Sequence, residues 1–330
     1  MSDYTPPYKI TDKTLNLVAS ISEKIGRITH HSNLDSKPHL RKNNKIKSVH
    51  SSLAIEANSL SLDEVKDVIN GKTVLGTEKE IQEVKNAYAA YEEIPHIDIY
   101  CRTELKRLHG IMTKYTVDTN GEFRLGEEGV FSGDKCIFMA PPAKFVPIQM
   151  AELFSWINKS KDTVHPLILA AVFHYEFVFI HPFTDGNGRM ARLWHTAILA
   201  KWNPIFEFIP IESQLEKFQK DYYDAIAKCH IEGSSTAFIE FMLQQIDTIL
   251  DKISFSITDF SNNITGQVTK LLSVMEYDTP YTANEILTLL NLKSKETLRK
   301  NYLSPAISNN LVIMTIPDKP NSKNQRYIKV

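Results

Sequence analysis

His181-Pro182-Phe183-Thr184-Asp185-Gly186-Asn187-Gly188-Arg189-Met190-Ala191-Arg192 is the stretch on which the reading of this chain turns. An apolar helical pattern over residues 167–180 precedes it. A second pattern, with Leu193, Thr196, Ala197 and Ala200, follows. Gly186-Asn187-Gly188 at a helix start suits an anion nest, because glycine tolerates unusual φ and lets successive N–H groups point at one phosphate. Arg189 and Arg192 lie three apart on one helical face and add charge for further phosphate oxygens. Asp185 sits where a hard Mg2+ bridging those phosphates needs a carboxylate. His181, on the same loop, can take a proton from an attacking hydroxyl. Gly186-x-Gly188-x-x-Ala191 also fits a loose dinucleotide fingerprint, but no βαβ pattern surrounds it.

Outward from this loop, helix signals dominate. Ser61 with Glu64 and Thr77 with Glu80 spell capping boxes, each followed by apolar residues at helical spacing. Gly71 stops the first helix and Pro95 the second. Leu105, Leu108, Ile111 and Met112 mark another helical face, expected to run to the turn at Asn120-Gly121. Glycines recur through residues 125–133. With Val130-Phe131, a Gly133-Asp134 turn and Ile137-Phe138-Met139, they predict a short hairpin closed by Pro141-Pro142. Helical periodicity then runs from Met150 to about Leu250, interrupted near residues 181–188. Residues 251–265, rich in Ser and Asn, read as a connector. Beyond it come a helix with Val268, Leu271, Leu272 and Met275, a second capped by Thr282 and Glu285, and a third opened by Ser294. Two β-like runs, residues 311–316 and 327–330, complete the pattern of a winged helix–turn–helix.

The composition narrows the function classes. The chain has 330 residues, 42% hydrophobic and 23% charged, enough to bury a core and to form about two domains. Its 38 basic and 39 acidic residues leave a net charge of -1, which argues against a chain-wide field that gathers nucleic acid or anionic membrane. Cys101, Cys136 and Cys229 lie far apart and form no CxxC pair, so neither a disulfide framework nor a thiolate zinc site is expected. No run approaches the ~20 apolar residues of a membrane span, and the opening residues lack a signal-peptide pattern. The expectation is a soluble, intracellular, cytoplasmic protein without membrane contact.

Residues 181–192 resemble the signature of the Fic family, HPFx(D/E)GNGRxxR, with every fixed position present. The resemblance implies an all-α Fic fold with a short β-hairpin flap, joined here to a small C-terminal winged helix–turn–helix. It implies an N-terminal helical segment with an inhibitory helix at 1–100, a catalytic core at 101–250, and connector plus winged helix at 251–330. The implied activity is transfer of AMP from ATP to a protein hydroxyl, on a target and on the protein itself, with release of pyrophosphate. His181 would be the general base, Phe183 would pack inward, and Asp185 would bind Mg2+. Gly186, Asn187, Gly188 and Arg189 would hold the phosphates, and Arg192 the terminal one. Gly121-Glu122-Phe123-Arg124 and the hairpin after it look like the family's flap, so the target would dock over residues 125–142. Tyr222-Tyr223 resembles the aromatic pair of the nucleobase pocket, with Tyr223 touching the base and His230 where an Asn often stands. Residues 52–58, Ser-Leu-Ala-Ile-Glu-Ala-Asn, resemble the inhibitory motif (S/T)xxxE(G/N), with Ser52 and Glu56 matching and Ala57 departing. On that likeness, Glu56 sits on a short helix one turn beyond Ser52 and forms a bidentate pair with Arg192.

Two other functions remain open at this level. One is removal of AMP from a modified protein, with the inhibitory Glu positioning water. The other is a DNA-binding regulator with a vestigial Fic domain. From Thr265 onward nine basic residues face five acidic ones, which suits phosphate contact. A homodimer is also left open.

Overall fold

The computed structural model describes residues 4–31, 38–132, 135–258, 265–276, 279–309, 311–320 and 322–329. The expected turn Gly133-Asp134 and the connector pair Asn262-Asn263 lie outside the described residues. The chain divides into two compact units, Met1–Glu23 with Lys42–Ile249, and Lys24–Arg41 with Leu250–Val330.

The first unit is helical. Its elements in order are α1 (Asp12–His31), α2 (Pro38–Ile55), α3 (Leu62–Ile69), α4 (Glu78–Glu92) and α5 (Arg102–Met112), then a hairpin of β1 (Gly129–Ser132) and β2 (Lys135–Met139). There follow α6 (Val146–Ser160), α7 (Pro166–Ile180), α8 (Asn187–Trp202), α9 (Ile211–Lys217), α10 (Gln219–Glu232) and α11 (Thr236–Thr258). Three of these helices, α1, α2 and α11, run on into residues of the second unit. At its centre α7 packs on α8. Leu167 to Phe177 are all buried, as expected of a helix that is apolar on every side. Both capping boxes form as written, Ser61 with Glu64 on α3 and Thr77 with Glu80 on α4. The β1–β2 ladder is antiparallel, with an irregularity between Val130 and Phe131.

Several boundaries differ from the sequence reading. Helix α5 ends at Met112, well before Asn120-Gly121, because the chain turns at Tyr115 with φ +62. The span from Met150 to Leu250 is broken again by residues 161–165, 203–210 and 233–235, where Pro166, Pro204 and Gly233 mark the breaks. The connector begins later than expected, since α11 carries its helix to Thr258. The first turns of α2 gave no apolar pattern, since α2 is polar and basic along much of its length, whereas α1 carries an apolar stripe, Leu17, Ile21, Ile25 and Ile28, that went unread.

The second unit holds α12 (Gly266–Val274), β3 (Pro280–Tyr281), α13 (Ala283–Leu289), α14 (Lys295–Leu298), α15 (Ser304–Ser308), β4 (Val312–Met314) and β5 (Tyr327–Lys329). A π turn, Arg299–Leu303, interrupts the expected third helix between α14 and α15. The strands form an antiparallel sheet in the order β3-β5-β4, so the two expected strands gain a third. Leu271, Leu272, Ile286, Leu298, Leu303, Ala306 and Val312 close its core. Among the described residues, no helix is long and apolar enough to cross a membrane.

Candidate active site

The loop between α7 and α8 is held open by its backbone. His181 caps α7 in the left-handed region, φ +51 and ψ +60, and its N–H still donates to Phe177 O at 3.0 Å. Gly186, φ +82, caps the start of α8, and a Cβ there would also press on Thr113 Cγ2 at 2.9 Å. Glycine is required on both counts. The N–H groups of Asn187, Gly188 and Arg189 open α8 without an intrahelical acceptor, so they can point at an anion. The Asn187 side chain is not part of that nest. Its Oδ1 accepts from Phe183 N–H at 3.0 Å and its Nδ2 donates to Phe183 O at 2.7 Å. Asn187 therefore pins the loop, and its side chain is not available to an anion.

Phe183 is fully buried, as expected, and stacks on His109 with centroids 3.6 Å apart. His109 came from no sequence reading. Gly121 N–H donates to its Nδ1 at 2.9 Å, so Nε2 carries the proton and donates to Asp185 O at 2.9 Å. It thus ties the start of the flap to the α7–α8 loop. Burial, outweighing the Asp185 carbonyl, lowers its pKa to about 4. The imidazole is neutral when folded but titrates near 6.5 when unfolded. Stability is therefore full above about pH 6.5 and is lost as pH falls toward 4. Between pH 7 and pH 5 the loss from His109 is expected to be about 2 kcal/mol, measurable by denaturant unfolding at the two values. Buried His195, lowered to about 4 by burial, adds loss of the same sign.

Arg124 is the second residue whose role was missed, although its motif was read. Buried to 2% exposure, its guanidinium donates to four carbonyls: His181 at 2.6 Å, Gly126 at 2.8 Å, Pro141 at 2.5 Å and Ile180 at 3.4 Å. Its own N–H donates to Pro182 O at 2.9 Å. One side chain therefore fastens both legs of the flap to the backbone of His181.

The His181 ring lies with Nδ1 3.4 Å from Val178 O. A carbonyl only accepts, so Nδ1 carries the proton and Nε2 keeps its lone pair. Burial, more than any charge nearby, holds its pKa below the usual value, so the ring is a neutral base at pH 7. Asp185 is half-exposed. Burial raises its pKa, but Arg189, with Nη2 at 2.9 Å, and Gly186 N–H together outweigh this and hold it below the usual carboxylate range.

Arg192 is nearly sealed, at 2% exposure. Its Nε donates to Ser52 Oγ at 3.0 Å. Its Nη2 donates to Ser52 O at 2.9 Å and to Glu56 Oε1 at 2.7 Å. Burial works against its charge, and the Glu56 carboxylate more than compensates, so its pKa is raised. The expected pairing is present but not bidentate: Glu56 makes one bond, and Ser52 takes the other side of the fork. Nor is the helix short. Glu56 follows the end of the 18-residue α2, in a turn where its N–H bonds to Leu53 O at 2.9 Å. Ala57 has φ +66, which explains why glycine or asparagine suits the position where this chain has alanine. A Cβ on Gly188 would overlap the Glu56 carboxylate, which thus lies directly over the nest.

Polar bonds along the length of α2 dock it. Ser48 Oγ donates to Glu212 at 2.7 Å and Ser51 Oγ to Ser213 Oγ at 3.1 Å. Buried Glu212 also accepts from Tyr91 at 2.9 Å and Thr196 at 3.0 Å. Gln219 Nε2 and the Tyr223 hydroxyl reach Ile55 O, at 3.0 and 3.5 Å. Tyr222 is buried against His174, while Tyr223 is 46% exposed beside the Glu56 turn. His230 stacks on Phe138 of the flap, centroids 4.1 Å apart, and its Nδ1 lies 3.2 Å from the Tyr175 hydroxyl.

Residues 99–199 match the Fic/DOC family, and residues 266–328 match the C-terminal domain of the Fic-like "filamentation induced by cAMP" proteins. Among curated proteins, a "Protein adenylyltransferase Fic" of Nematostella vectensis is 29% identical over 225 residues. The match covers 64% of this chain and 49% of that one. The protein of the same description from Drosophila melanogaster is 26% identical over 227 residues, covering 66% and 43%. The chain thus spans about half the length of the curated relatives it matches. A crystal structure of a Fic family protein from Desulfovibrio desulfuricans G20 is 40% identical, covers 99% of this chain and 98% of that one, and has a TM-score of 0.73. Fic-1 of C. elegans, residues 134–508, shares the fold at 20% identity and a TM-score of 0.61. With a Fic family structure matched almost end to end at 40% identity, this chain belongs to the Fic family.

Proposed function

We propose that this protein transfers AMP from ATP to a hydroxyl side chain of a target protein and that Glu56 holds it inhibited. The observation that carries the reading is the α7–α8 loop. A neutral imidazole, a carboxylate, a helix N-terminus and two buried arginines meet there, an arrangement that supports binding of a phosphate-bearing substrate. His181 Nε2 takes the proton of the attacking hydroxyl as its oxygen bonds to the α-phosphorus. The bond from that phosphorus to the α,β-bridging oxygen breaks, and pyrophosphate leaves. The N–H groups of Asn187 to Arg189, with the Arg189 guanidinium, balance the phosphate charge. Positioning and charge neutralisation supply most of the acceleration. Incubation with α-labelled ATP and mass spectrometry of the products tests the reading. An unlabelled protein in both wild type and Glu56→Gly would overturn it, and release of AMP from a modified target would favour the reverse reaction.

Asp185 suits Mg2+. Its carboxylate is 45% exposed beside the nest, and Mg2+ is commonly held by one or two carboxylates with substrate phosphates completing its shell. The ion would arrive with the nucleotide and neutralise its phosphates. Asp185→Ala is expected to raise the Mg2+ concentration for half-maximal transfer at least about tenfold, and EDTA to stop wild type. Activity indifferent to both would remove Asp185 from the site.

The C-terminal unit reads as a winged helix–turn–helix, with α13 and α14–α15 as the helix pair and β4–β5 as the wing. A groove of about 550 Å³ between them is lined by Lys295, Arg299, Lys323, Asn284 and Gln325, among others. That lining favours phosphate contact. Retention of duplex DNA that weakens as salt rises is its test, and no retention at low salt would dismiss it.

A further inference from the structure

The turn that carries Glu56 is fastened at a second point, away from Arg192. Asn58 Nδ2 donates to Glu83 Oε2 on α4 at 2.9 Å and approaches Glu80 O at 3.3 Å. Its Oδ1 accepts from Leu60 N–H at 3.2 Å. One residue further on, Ser59 donates through N–H and Oγ to Glu80 Oε1, at 2.9 and 2.6 Å. The other oxygen of Glu83 faces the phosphate loop: Oε1 lies 3.4 Å from Arg189 Nη1, with 13% and 4% of the two side chains exposed. Arg189 in turn holds Asp185 at 2.9 Å. A single, mostly buried carboxylate therefore has one oxygen on the inhibitory turn and one on the arginine of the nest.

We propose that Glu83 is a positioning residue that latches the Glu56 turn to Arg189, so that release of the turn and rearrangement of the phosphate-binding arginine are one event. The inference rests on the reading of Glu56 as inhibitor and names what keeps that inhibitor seated. Seating needs an anchor. Ala57 takes a left-handed backbone, φ +66, which costs energy for a residue with a Cβ, and Glu56 itself makes one bond to Arg192. Glu83 contributes no group to the chemistry. It acts through Asn58 and through Arg189.

The test uses the full chain and the transfer assay with α-labelled ATP, with thermal unfolding of each variant as a check of folding. Asn58→Asp keeps the acceptor for Leu60 N–H but sets a carboxylate against Glu83. It is expected to raise transfer by about fivefold or more, a coupling of ordinary size between two sites, although Glu56 and both arginines are intact. Adding Glu83→Gln to that variant re-creates an amide–carboxylate bond with donor and acceptor exchanged, and the glutamine oxygen can still accept from Arg189. Transfer is expected to fall back toward wild type, a rescue that general loosening of the fold would not produce. In a Glu56→Gly background, Asn58→Asp is expected to add nothing, since no inhibitor remains to be seated. Wild-type transfer by Asn58→Asp beside a clear rise in Glu56→Gly would overturn the latch alone. So would a double variant that stays fully active. No rise in Glu56→Gly would overturn the inhibitory reading and the latch with it.

Discussion

His181→Ala is expected to lower AMP transfer by about 10²–10⁴-fold, the usual range for loss of a general base, with little change in fold or nucleotide affinity. The structure separates the side chain from the loop it stands on. Arg124 holds the His181 carbonyl at 2.6 Å, and Phe183, Asn187 and His109 fix the residues after it. None of these contacts uses the imidazole, whose own described bond is the long one to Val178 O. Truncation therefore removes the base and leaves the nest. The pH dependence follows from the same burial. Because the imidazole titrates below its usual value, wild-type transfer should be level between pH 7 and 8 and fall under acid as the base is protonated. Label incorporation by the variant at near wild-type rate would assign the proton transfer elsewhere.

Glu56→Gly is expected to raise transfer, including self-modification, by at least about tenfold, which needs only about 1.4 kcal/mol of barrier. Two contacts end together. Arg192 loses its carboxylate and becomes available to the γ-phosphate, and the space directly over Gly188 opens. Ser52 continues to hold Arg192 through Nε and Nη2, so the arginine stays in place for the nucleotide. A glycine at 56 is also next to the left-handed Ala57, where added backbone freedom further loosens the turn. Arg192→Ala should not mimic the activation if, as proposed, the arginine that holds Glu56 also serves the substrate. Equal labelling by wild type and Glu56→Gly across a range of ATP concentrations would show that this turn does not control the site.

The sequence alone determined the helical class, the capped starts of α3, α4 and α13, the flap and the twelve residues of the loop. These signals are local. A capping box needs four residues, an apolar helix shows its period, and a nest needs glycines beside a helix start. Only the tertiary structure decided what holds that loop. His109 reads as one polar residue on the apolar face of α5, and Arg124 as one cation in a flap motif. Nothing nearby in the chain shows that the first carries a bond from Gly121 to Asp185, or that the second gathers four carbonyls from the flap and from α7. Glu83 gives no signal, since a glutamate on a capped helix is an ordinary surface choice, and Asn58 reads only as the end of the motif-like stretch 52–58. Their meaning lies in partners 25 and 106 residues away. The family resemblance implied a pairing of Glu56 with Arg192, but only the fold set the single bond, the division of the guanidinium with Ser52 and the left-handed turn at Ala57. Hydrogen-bond geometry depends on where separate elements come to rest, and that is fixed by packing of the whole unit rather than by any spacing along the chain.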